Sequence, residues 1–589
     1  MADAALSPVR RRDDLRRLGD EPFDLLVVGG GITGAGTALD AVTRGLRVGL
    51  VEAQDWASGT SSRSSKLVHG GLRYLQQFDL HLVHEALRER ALLIGVVAPH
   101  LVRPVSFLYP LQTPVIERAY VGAGIALYDV LASNRGKGSL PWHRHLSRRS
   151  ALERAPGLRR DSLVGAIEYF DAQVDDARYV VETVRTAVAY GAVAVSRAAA
   201  VGFRRDGDRV FGARLRDAET GEELDVAANV TALATGPWTE ETEGIAGRSR
   251  TVEVRPSKGV HLVVAKEKVE SSAALVVRTE RSVLFVLPWG DHWLIGTTDT
   301  DWDEEKARPI TTQADVHYLL SQVNRVLSRP LTDHDVQATY AGLRPLVAGI
   351  GVVRGPGEHG AERIDRMTRD EPETTKVSRE HAVARLAPGL VVVSGGKFTT
   401  YRVMAADTVD AAVADGSLPA GRSVTSEVRL LGAEGYEAWR NRQSALAEGH
   451  DVPEAVVGHL LARYGALVGE VLSLVDSDRA LAEPVPWAAG YVMAEIAYAV
   501  SHEGARHLDD VLLRRTRIGI ETPDAGEVAA PAAAAVMAPL LGWDAGTVVA
   551  ELDAYRQTAA LEYLAGERPA DDAEAARRAK ETVPLLPLP

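Results

Sequence analysis

Cationic and imidazole side chains stand in this sequence beside glycine pairs and within apolar runs, where a ligand could reach them. Arg73, Arg344 and Lys397 are cations of this kind, and Arg379, in the polar stretch of residues 376–381, is a fourth candidate. Guanidinium and ammonium groups match the oxygens of a phosphate or a carboxylate, so as a set they predict an anionic substrate, although any one of them alone is more typical of a surface charge. His261 stands in an apolar stretch. An imidazole there could act as a base, but a histidine in a strand is more often a buried residue with its hydrogen bonds made.

A second polar group stands within residues 57–75. Lys66, His69, Arg73 and Tyr74 follow a run of small hydroxyl residues and enclose two adjacent glycines. Small hydroxyl side chains with paired glycines predict a loop that wraps a phosphate or a ring system. A flexible linker is the alternative, but a linker would not need these four side chains.

The glycines that could hold a nucleotide come near the start of the chain. Gly29, Gly31 and Gly34 give the spacing GxGxxG directly after the apolar residues 23–28 and before a helical stretch. This arrangement predicts a tight turn, a backbone that approaches a pyrophosphate, and a helix N-terminus that favours anions. Glu52, at the end of the next apolar run, is placed to hold a ribose hydroxyl. The sequence therefore predicts a dinucleotide site.

The glycine turn alone does not distinguish NAD from FAD. Two later strand ends, residues 234–238 and 394–397, carry Gly-Pro or Gly-Gly and would return the chain to the cofactor. Contacts distributed in this way suit a large, permanently bound flavin, and with the turn at the N-terminus they favour FAD.

Composition limits the class of protein. The chain has 589 residues, which is too long for one core, and its net charge of −13 argues against nucleic-acid binding. It has no cysteine, which excludes disulfides, thiolate metal sites and thiol catalysis. No signal peptide is expected. The most apolar later runs, residues 120–133, 485–501 and 528–543, are short or carry an acid, so we expect no transmembrane helix and a cytoplasmic protein that could rest on a membrane surface.

Three domains are expected from the periodicity. A discontinuous dinucleotide domain over residues 20–420 would enclose an antiparallel sheet domain formed by about 78–165 and 250–390. Asp171 or Asp175 would cap the helix that follows, and Gly290-Asp291 would form a hairpin. Residues 347–375 would form an exposed loop. Alanine-rich amphipathic runs over 425–575 predict an all-helical C-terminal domain.

Several of these segments, in the same order, resemble the FAD-dependent, respiratory glycerol-3-phosphate dehydrogenases. The resemblance covers residues 23–402 and reaches the helical part through residues 508–517. It is carried by Ser61-Ser-Arg-Ser-Ser-Lys-Leu-Val-His-Gly-Gly-Leu-Arg-Tyr-Leu75, Asp171-Ala-Gln-Val-Asp-Asp-Ala-Arg178, Ala234-Thr-Gly-Pro-Trp238, Pro288-Trp289 with Ile295-Gly-Thr-Thr-Asp299, Tyr340-Ala-Gly-Leu-Arg-Pro-Leu346 and Gly395-Gly-Lys-Phe-Thr-Thr-Tyr-Arg402.

The resemblance implies an α/β fold: a Rossmann-like FAD-binding domain and an antiparallel-sheet substrate domain, of the glutathione-reductase and D-amino-acid-oxidase type, with the helical domain added. It implies roles for these residues. Contacts to FAD would come from Gly29, Gly31, Ile32, Thr33, Gly34, Glu52, Ser61, Ser65, Lys66, Leu67, Gly70, Gly236, Gly396, Lys397 and Thr399. The substrate pocket would be lined by His69, Arg73, Tyr74, His261, Arg344, Arg379 and Lys397.

The reaction implied is oxidation of sn-glycerol 3-phosphate to dihydroxyacetone phosphate by hydride transfer from C2 to the flavin. His261 is the first choice for the base that removes the C2 hydroxyl proton, and His69 is the second. The family's acceptors are quinones, so the resemblance implies peripheral attachment to the inner face of the cell membrane, and it is compatible with a homodimer.

Three alternatives remain open at this point. A glycerol-3-phosphate oxidase would pass its electrons to oxygen. An amino-acid or amine oxidase of the same flavoprotein fold would bind a carboxylate and need fewer cations. A non-catalytic sensor that binds a dinucleotide is disfavoured, because the cations and histidines would then have no function.

Overall fold

The structure is a computed structural model. It describes residues 4–71, 79–132, 138–248, 251–280, 283–350, 380–564, 566 and 568–581, with the backbone alone at residue 350. Arg73, Tyr74 and Arg379 therefore lie outside the described residues, and so does the predicted loop beyond residue 350. Residues 347–350, the start of that predicted loop, continue a strand instead.

The elements are numbered in chain order. The helices are α1 (Pro8–Asp20), α2 (Ile32–Thr43), α3 (Leu80–Leu92), α4 (Ile116–Leu131), α5 (Arg148–Arg154), α6 (Asp176–Ala189), α7 (Thr239–Ile245), α8 (Gln313–Val323), α9 (Tyr401–Gly416), α10 (Tyr436–Arg440), α11 (Gln443–His450), α12 (Glu454–Tyr464), α13 (Val468–Ser477), α14 (Met493–Ser501), α15 (Ile518–Glu521), α16 (Ala530–Leu541), α17 (Ala545–Glu562) and α18 (Asp572–Glu581). The strands are β1 (Phe23–Val28), β2 (Val48–Val51), β3 (Leu67–Val68), β4 (Arg103–Leu111), β5 (Arg144–Ser147), β6 (Gly165–Gln173), β7 (Val193–Val195), β8 (Ala198–Asp206), β9 (Arg209–Asp217), β10 (Glu223–Leu233), β11 (Val252–Ala265), β12 (Ala274–Arg278), β13 (Val283–Trp289), β14 (His292–Gly296), β15 (Thr300–Asp301), β16 (Val336–Ile350), β17 (His381–Ala387), β18 (Leu390–Gly395), β19 (Pro484–Val485) and β20 (Ala488–Val492).

The first sheet is built around β1, whose apolar residues are buried on both faces, as is typical of a central parallel strand. Its order is β17-β18-β10-β1-β2-β7, and all neighbours are parallel except β17 and β18. β9 and β8 extend it from β10 as antiparallel strands. α2, α6 and α9 share one hydrophobic core with this sheet. The dinucleotide-binding architecture predicted from the glycine spacing is confirmed.

The second sheet is mostly antiparallel, with the order β15-β11-β14-β13-β12-β4-β6-β3, and β16 and β5 pair at its sides. The predicted hairpin at Gly290-Asp291 joins β13 to β14. β17 lies within the range predicted for this sheet but pairs with β18 in the first one, because a short apolar strand carries no signal of which sheet it joins. The bounds given above for the domains stay a prediction.

The C-terminal part is helical, with one exception to the predicted pattern. Residues 488–492, within the range predicted to be all-helical, form β20, which pairs with β19, and the helix α14 begins only at Met493. α11, α12, α13 and α14 enclose a separate core.

One helical stretch in the described part, Glu454–Ser477, is long and apolar enough to cross a membrane by length and composition alone, which our reading of the sequence did not expect. It bends at Gly465, whose φ of 57° separates α12 from α13. Leu460, Leu461 and Leu472 belong to the helical core, so much of its apolar surface is used in packing.

Buried ion pairs join the helical part to the dinucleotide domain. Arg178 on α6 donates to both carboxylate oxygens of Glu503, at 2.7 and 3.1 Å. Arg515 donates to both oxygens of Asp55, at 2.7 and 2.6 Å. All four side chains are almost fully buried, so the loss of one partner would leave an uncompensated charge in the interior.

We expect Arg178→Ala to lower the free energy of unfolding by about 3–5 kcal/mol, since Glu503 would lose its partner without gaining water. The matched control is Arg149→Ala, which removes an exposed ion pair with Glu153 and is expected to cost at most about 0.5 kcal/mol. Urea unfolding of both variants measures the difference. Equal midpoints would contradict a role for this ion pair in joining the domains.

Candidate active site

A cavity of about 770 Å³ lies between the carboxyl ends of the parallel strands and one edge of the second sheet. This volume is within the range of cofactor and ligand clefts. The residues that line it come from the glycine turn, the loop after β2, the ends of β10 and β18, and the facing strands β11 and β16. Those predicted from the sequence are Gly29, Gly31, Ile32, Thr33, Glu52, Ser61, Ser65, Leu67, His69, Gly236, His261, Arg344, Gly396, Lys397 and Thr399.

The glycine turn has the geometry that its spacing predicts. Gly29 has a φ of 118°, and a Cβ there would lie 2.4 Å from the carbonyl oxygen of Ala234. A Cβ on Gly34 would lie 1.8 Å from the carbonyl oxygen of Gly29, so only glycine lets α2 approach β1 this closely. Gly31 caps α2 without a side-chain hydrogen bond of its own, and the first amide of the helix, that of Ile32, donates to the hydroxyl of Ser61 at 3.0 Å. The dipole of α2 favours an anion at this end.

Glu52 is oriented by the backbone around it. Its carboxylate accepts hydrogen bonds from the amides of Gly30 at 2.6 Å and Gln54 at 2.7 Å. Burial raises the pKa of Glu52, and these two hydrogen bonds lower it in part. Each carboxylate oxygen keeps lone pairs that could accept from a ribose hydroxyl.

His261 lies in the opposite wall, on β11. Its Nε2 is 2.9 Å from the hydroxyl of Ser65, and its ring stacks on Tyr340 of β16 with centroids 4.7 Å apart. Strand β14 leaves room for the ring, because a Cβ on Gly296 would lie 2.3 Å from it. Burial, followed by the charges of Arg344 and Lys66, holds the pKa of His261 well below its usual value. The imidazole is therefore neutral at physiological pH.

Arg344 is held beside this imidazole by strand ends. Its guanidinium donates to the hydroxyl of Thr297 at 2.9 Å and to the carbonyl of Thr298 at 3.1 Å. It is 3.6 Å from Asp299 and remains partly exposed. A Cβ on Gly259 would lie 2.5 Å from the guanidinium, so glycine at this position keeps its space open. Arg344 can therefore offer charge and donors to an anion in the cavity.

The third wall comes from the junction of β18 and α9. Gly395 and Gly396 both have a φ of 78°, and Lys397 follows them on the cavity surface. The amide of His69 donates to the hydroxyl of Thr399 at 3.1 Å, which joins this junction to the residues that follow β3. The His69 ring packs edge-on against Phe285.

Two predicted cofactor contacts do not line the cavity. The side chain of Lys66 turns away into the core, where its Nζ is 2.9 Å from Asp176, because a buried ammonium needs a carboxylate. Gly70 donates its amide to the hydroxyl of Tyr128 at 2.8 Å and is enclosed by α3 and α4. The structure therefore does not bring Lys66 or Gly70 to the cavity surface, and their assignment to the cofactor stays a prediction. Gly34 does not line the cavity either. It contributes by letting α2 pack closely against the backbone of Gly29.

The structure adds residues that our reading of the sequence missed. Ala198, Ala199 and Ala200 line the cavity where β8 begins, and Arg63 lines it elsewhere. Trp238, at the end of the predicted contact 234–238, lines it as well. The three alanines are adjacent in sequence and lie beside a predicted nucleotide-binding strand, and this pattern could have identified them as cavity residues. Arg63 pairs with Glu562 of α17, a contact between residues 499 positions apart in sequence that no local pattern reveals.

Comparison with known proteins agrees with this geometry. The family described as "FAD dependent oxidoreductase" matches residues 24–411, and the one described as "C-terminal domain of alpha-glycerophosphate oxidase" matches residues 423–548. The chain is 48% identical to glycerol-3-phosphate dehydrogenase 2 of Mycobacterium tuberculosis, over 96% of this chain and 93% of that protein.

The chain belongs to the family of FAD-dependent glycerol-3-phosphate dehydrogenases.

Relatives in this family extend to the mitochondrial glycerol-3-phosphate dehydrogenase of Homo sapiens, which is 36% identical over 92% of this chain and 75% of that protein. Among solved structures, the glycerol-3-phosphate dehydrogenase of Bacillus halodurans complexed with FAD aligns with a TM-score of 0.76 and 28% identity, over 95% of this chain and 98% of that one. FAD is the cofactor, and the fold predicted for it is confirmed. The glycine cradle, the helix N-terminus and the carboxylate of Glu52 fit its adenosine and pyrophosphate parts.

We expect Gly34→Ala to remove FAD and lower the denaturation midpoint, because the added methyl would meet the backbone of Gly29. Gly124→Ala is the matched control, since it lies in α4 with open space around it and should gain up to about 1 kcal/mol of helix stability. Flavin absorbance after gel filtration checks both variants. Full flavin retention by Gly34→Ala would contradict the close helix–strand contact.

His261 makes stability depend on pH. Below about pH 6.5 the imidazole of the unfolded chain takes up a proton, whereas the folded one stays neutral because its pKa is lower. The stability that a neutral His261 contributes is therefore complete above about pH 6.5 and is lost as the pH falls below it. The melting-temperature difference between the wild type and His261→Asn should shrink from pH 7.5 to pH 5; a constant difference would show that the histidine is not desolvated.

Proposed function

We propose that this chain oxidises sn-glycerol 3-phosphate to dihydroxyacetone phosphate and passes the electrons to a quinone. The observation that carries the proposal is the neutral imidazole of His261 beside the cation Arg344, in a cavity that also meets the glycine turn. Relatives named as glycerol-3-phosphate dehydrogenases align with nearly the whole chain, which supports the same activity here.

The cofactor would be held from three sides. Gly29, Gly31 and Glu52 would bind its adenosine and pyrophosphate parts, and Ser61, Ser65 and Leu67 would lie along the ring system. Gly236, Gly396 and Thr399 would complete the site. When bound, FAD supplies the acceptor for the hydride that leaves C2 of the substrate.

His261 would receive the proton of the C2 hydroxyl at Nε2. Ser65 already places its hydroxyl 2.9 Å from that nitrogen, so the substrate hydroxyl would either replace it or transfer the proton through it. A depressed pKa keeps the imidazole neutral before the reaction, so the ring has a nitrogen that can accept a proton. His69, on the same cavity, is the second choice for this role.

Arg344 and Lys397 would bind the phosphate or stabilise the forming alkoxide, since both line the cavity and carry charge opposite to the substrate. The charge of Arg344 would also oppose protonation of His261, which keeps the imidazole neutral. An amino-acid or amine oxidase would have less use for two cations in one cavity.

The acceptor distinguishes this proposal from a glycerol-3-phosphate oxidase. The match of residues 423–548 to a domain described from alpha-glycerophosphate oxidase keeps the oxidase as the second candidate. Attachment to the inner face of the cell membrane would give the reduced enzyme access to quinone. A homodimer would be compatible with this attachment.

The test is reduction of the purified holoenzyme without oxygen. Glycerol 3-phosphate should bleach the flavin absorbance, whereas glycine and proline should not. Mixing the reduced enzyme with a soluble quinone or with oxygen then separates the two candidates. An unchanged spectrum with glycerol 3-phosphate would overturn the proposed activity, and faster reoxidation by oxygen would make the chain an oxidase.

We expect Arg344→Ala to lower kcat/KM for glycerol 3-phosphate by about 100-fold or more while FAD stays bound, because no guanidinium would then offset the negative charge of the substrate or transition state. Arg344→Lys should restore part of the rate. Arg278→Ala, an exposed cation on the same sheet at the end of β12, is the control and should leave the rate unchanged. Loss of flavin from Arg344→Ala would place the arginine in the cofactor site instead.

A further inference from the structure

The helix α4 exposes an apolar stripe along its outer face. Ile116, Tyr120, Leu127 and Val130 are all exposed, at the three- and four-residue spacing that puts them on one side of a helix, and Ile116 is 82% exposed. The opposite side, with Ile125 and Tyr128, is buried. The helix is therefore apolar on both sides, and packing among the residues that the structure describes accounts only for the inner one.

The stripe belongs to a larger patch. Of the fifteen large apolar side chains that are exposed in the described ranges, six lie between residues 115 and 142. Four of these six form the stripe. The remaining two are Val115, just before the helix, and Trp142, which is 58% exposed. Exposed apolar side chains gathered in this way mark an interaction surface.

Basic residues border this patch. β5 runs beside α4, since Arg118 donates to the carbonyl of Leu146 and His143 contacts Asp129. In residues 141–149 the only charged side chains apart from the histidines are Arg144, Arg148 and Arg149. All three are exposed, and among the described residues only Arg149 of them pairs with a nearby carboxylate, Glu153. A local excess of arginine in a chain of net charge −13 is complementary to an anionic surface.

The inner face of α4 reaches the candidate active site. Tyr128 accepts a hydrogen bond from the amide of Gly70, the residue after His69, and donates to Asp171. The outer stripe is thus about one helix diameter, roughly 10 Å, from the loop that borders the cavity. An acceptor dissolved in a bilayer on that face would lie close to the cavity.

We propose that the outer face of α4, with Trp142 and the arginines of residues 144–149, is the surface by which this protein binds an anionic lipid bilayer. The proposal rests on the proposed transfer of electrons to quinone, to which it adds the place of contact. The helix, about 24 Å long, would lie in the plane of the interface, with Ile116, Tyr120 and Leu127 among the acyl chains. Trp142 would sit at the headgroup level, and the arginines would contact lipid phosphates.

The test is flotation of the holoenzyme with vesicles of phosphatidylcholine, with and without phosphatidylglycerol. We expect binding to the anionic vesicles, weakened by high salt, and a loss of about tenfold or more in Ile116→Glu and in Leu127→Glu. Val549→Glu is the matched control, since it alters an exposed apolar residue on α17 and should bind like the wild type. Arg144→Gln with Arg148→Gln should reduce the preference for phosphatidylglycerol.

Oxidation of glycerol 3-phosphate with a soluble dye as acceptor is measured in the same preparations. It should be unchanged in Ile116→Glu and Leu127→Glu, which also shows that these variants fold. Wild-type protein that does not float, or glutamate variants that float as well as it does, would overturn the proposal. A dimer in solution that dissociates in Ile116→Glu would overturn it too, because the patch would then join two copies. Dye-linked inactivity of the wild type would refute the proposed function alone, since flotation does not depend on turnover.

Discussion

The loop that borders the cavity depends on one buried carboxylate, Asp176, at the start of α6. It accepts hydrogen bonds from the amide and the hydroxyl of Ser64, at 3.1 and 2.6 Å, and pairs with Lys66. Arg517, from the C-terminal part, also reaches it. These contacts fix the loop from behind, so its other surface can present Ser65 and Leu67 to the cavity. Because the carboxylate of Asp176 is shielded from water, the loss of any of its partners would destabilise the loop.

This arrangement explains why the helical part stays on the dinucleotide domain. Arg515 and Arg517 lie within or next to one π-helical turn and contact carboxylates on both sides of the cavity loop, Asp55 and Asp176. The helical part thus holds the cavity loop in position through buried ion pairs.

The base of the proposed mechanism, His261, is an imidazole kept neutral by its surroundings. Burial supplies most of this effect, and the charge of Arg344 adds to it. In the proposed mechanism the same cation would bind the substrate, so one charge would both lower the pKa of the base and attract the phosphate. Gly259 and Gly296 make this possible, since side chains there would take the space of the guanidinium and the imidazole.

Much of this could be predicted from the sequence. The glycine spacing with Glu52 predicted the first sheet and its nucleotide turn, and the return of the chain at Gly236 and Gly396 was visible as glycine after an apolar strand. These signals are local, because a tight turn, a helix N-terminus and a buried strand each restrict the residues within a few positions. The orientation of Lys66 was not predictable, since its sequence neighbours resemble those of a residue that faces a ligand. Its partner, Asp176, is 110 positions away.

The sequence by itself determined the fold class, the cofactor turn and the set of cations and histidines available for chemistry. Only the tertiary structure decided which of them share a cavity, that His261 is paired with Ser65 and stacked on Tyr340, and that α4 keeps an apolar face uncovered. The physical reason is that burial and charge pairing depend on contacts between distant segments. Periodicity shows that a helix has apolar sides, but it cannot show which of them the rest of the chain will cover.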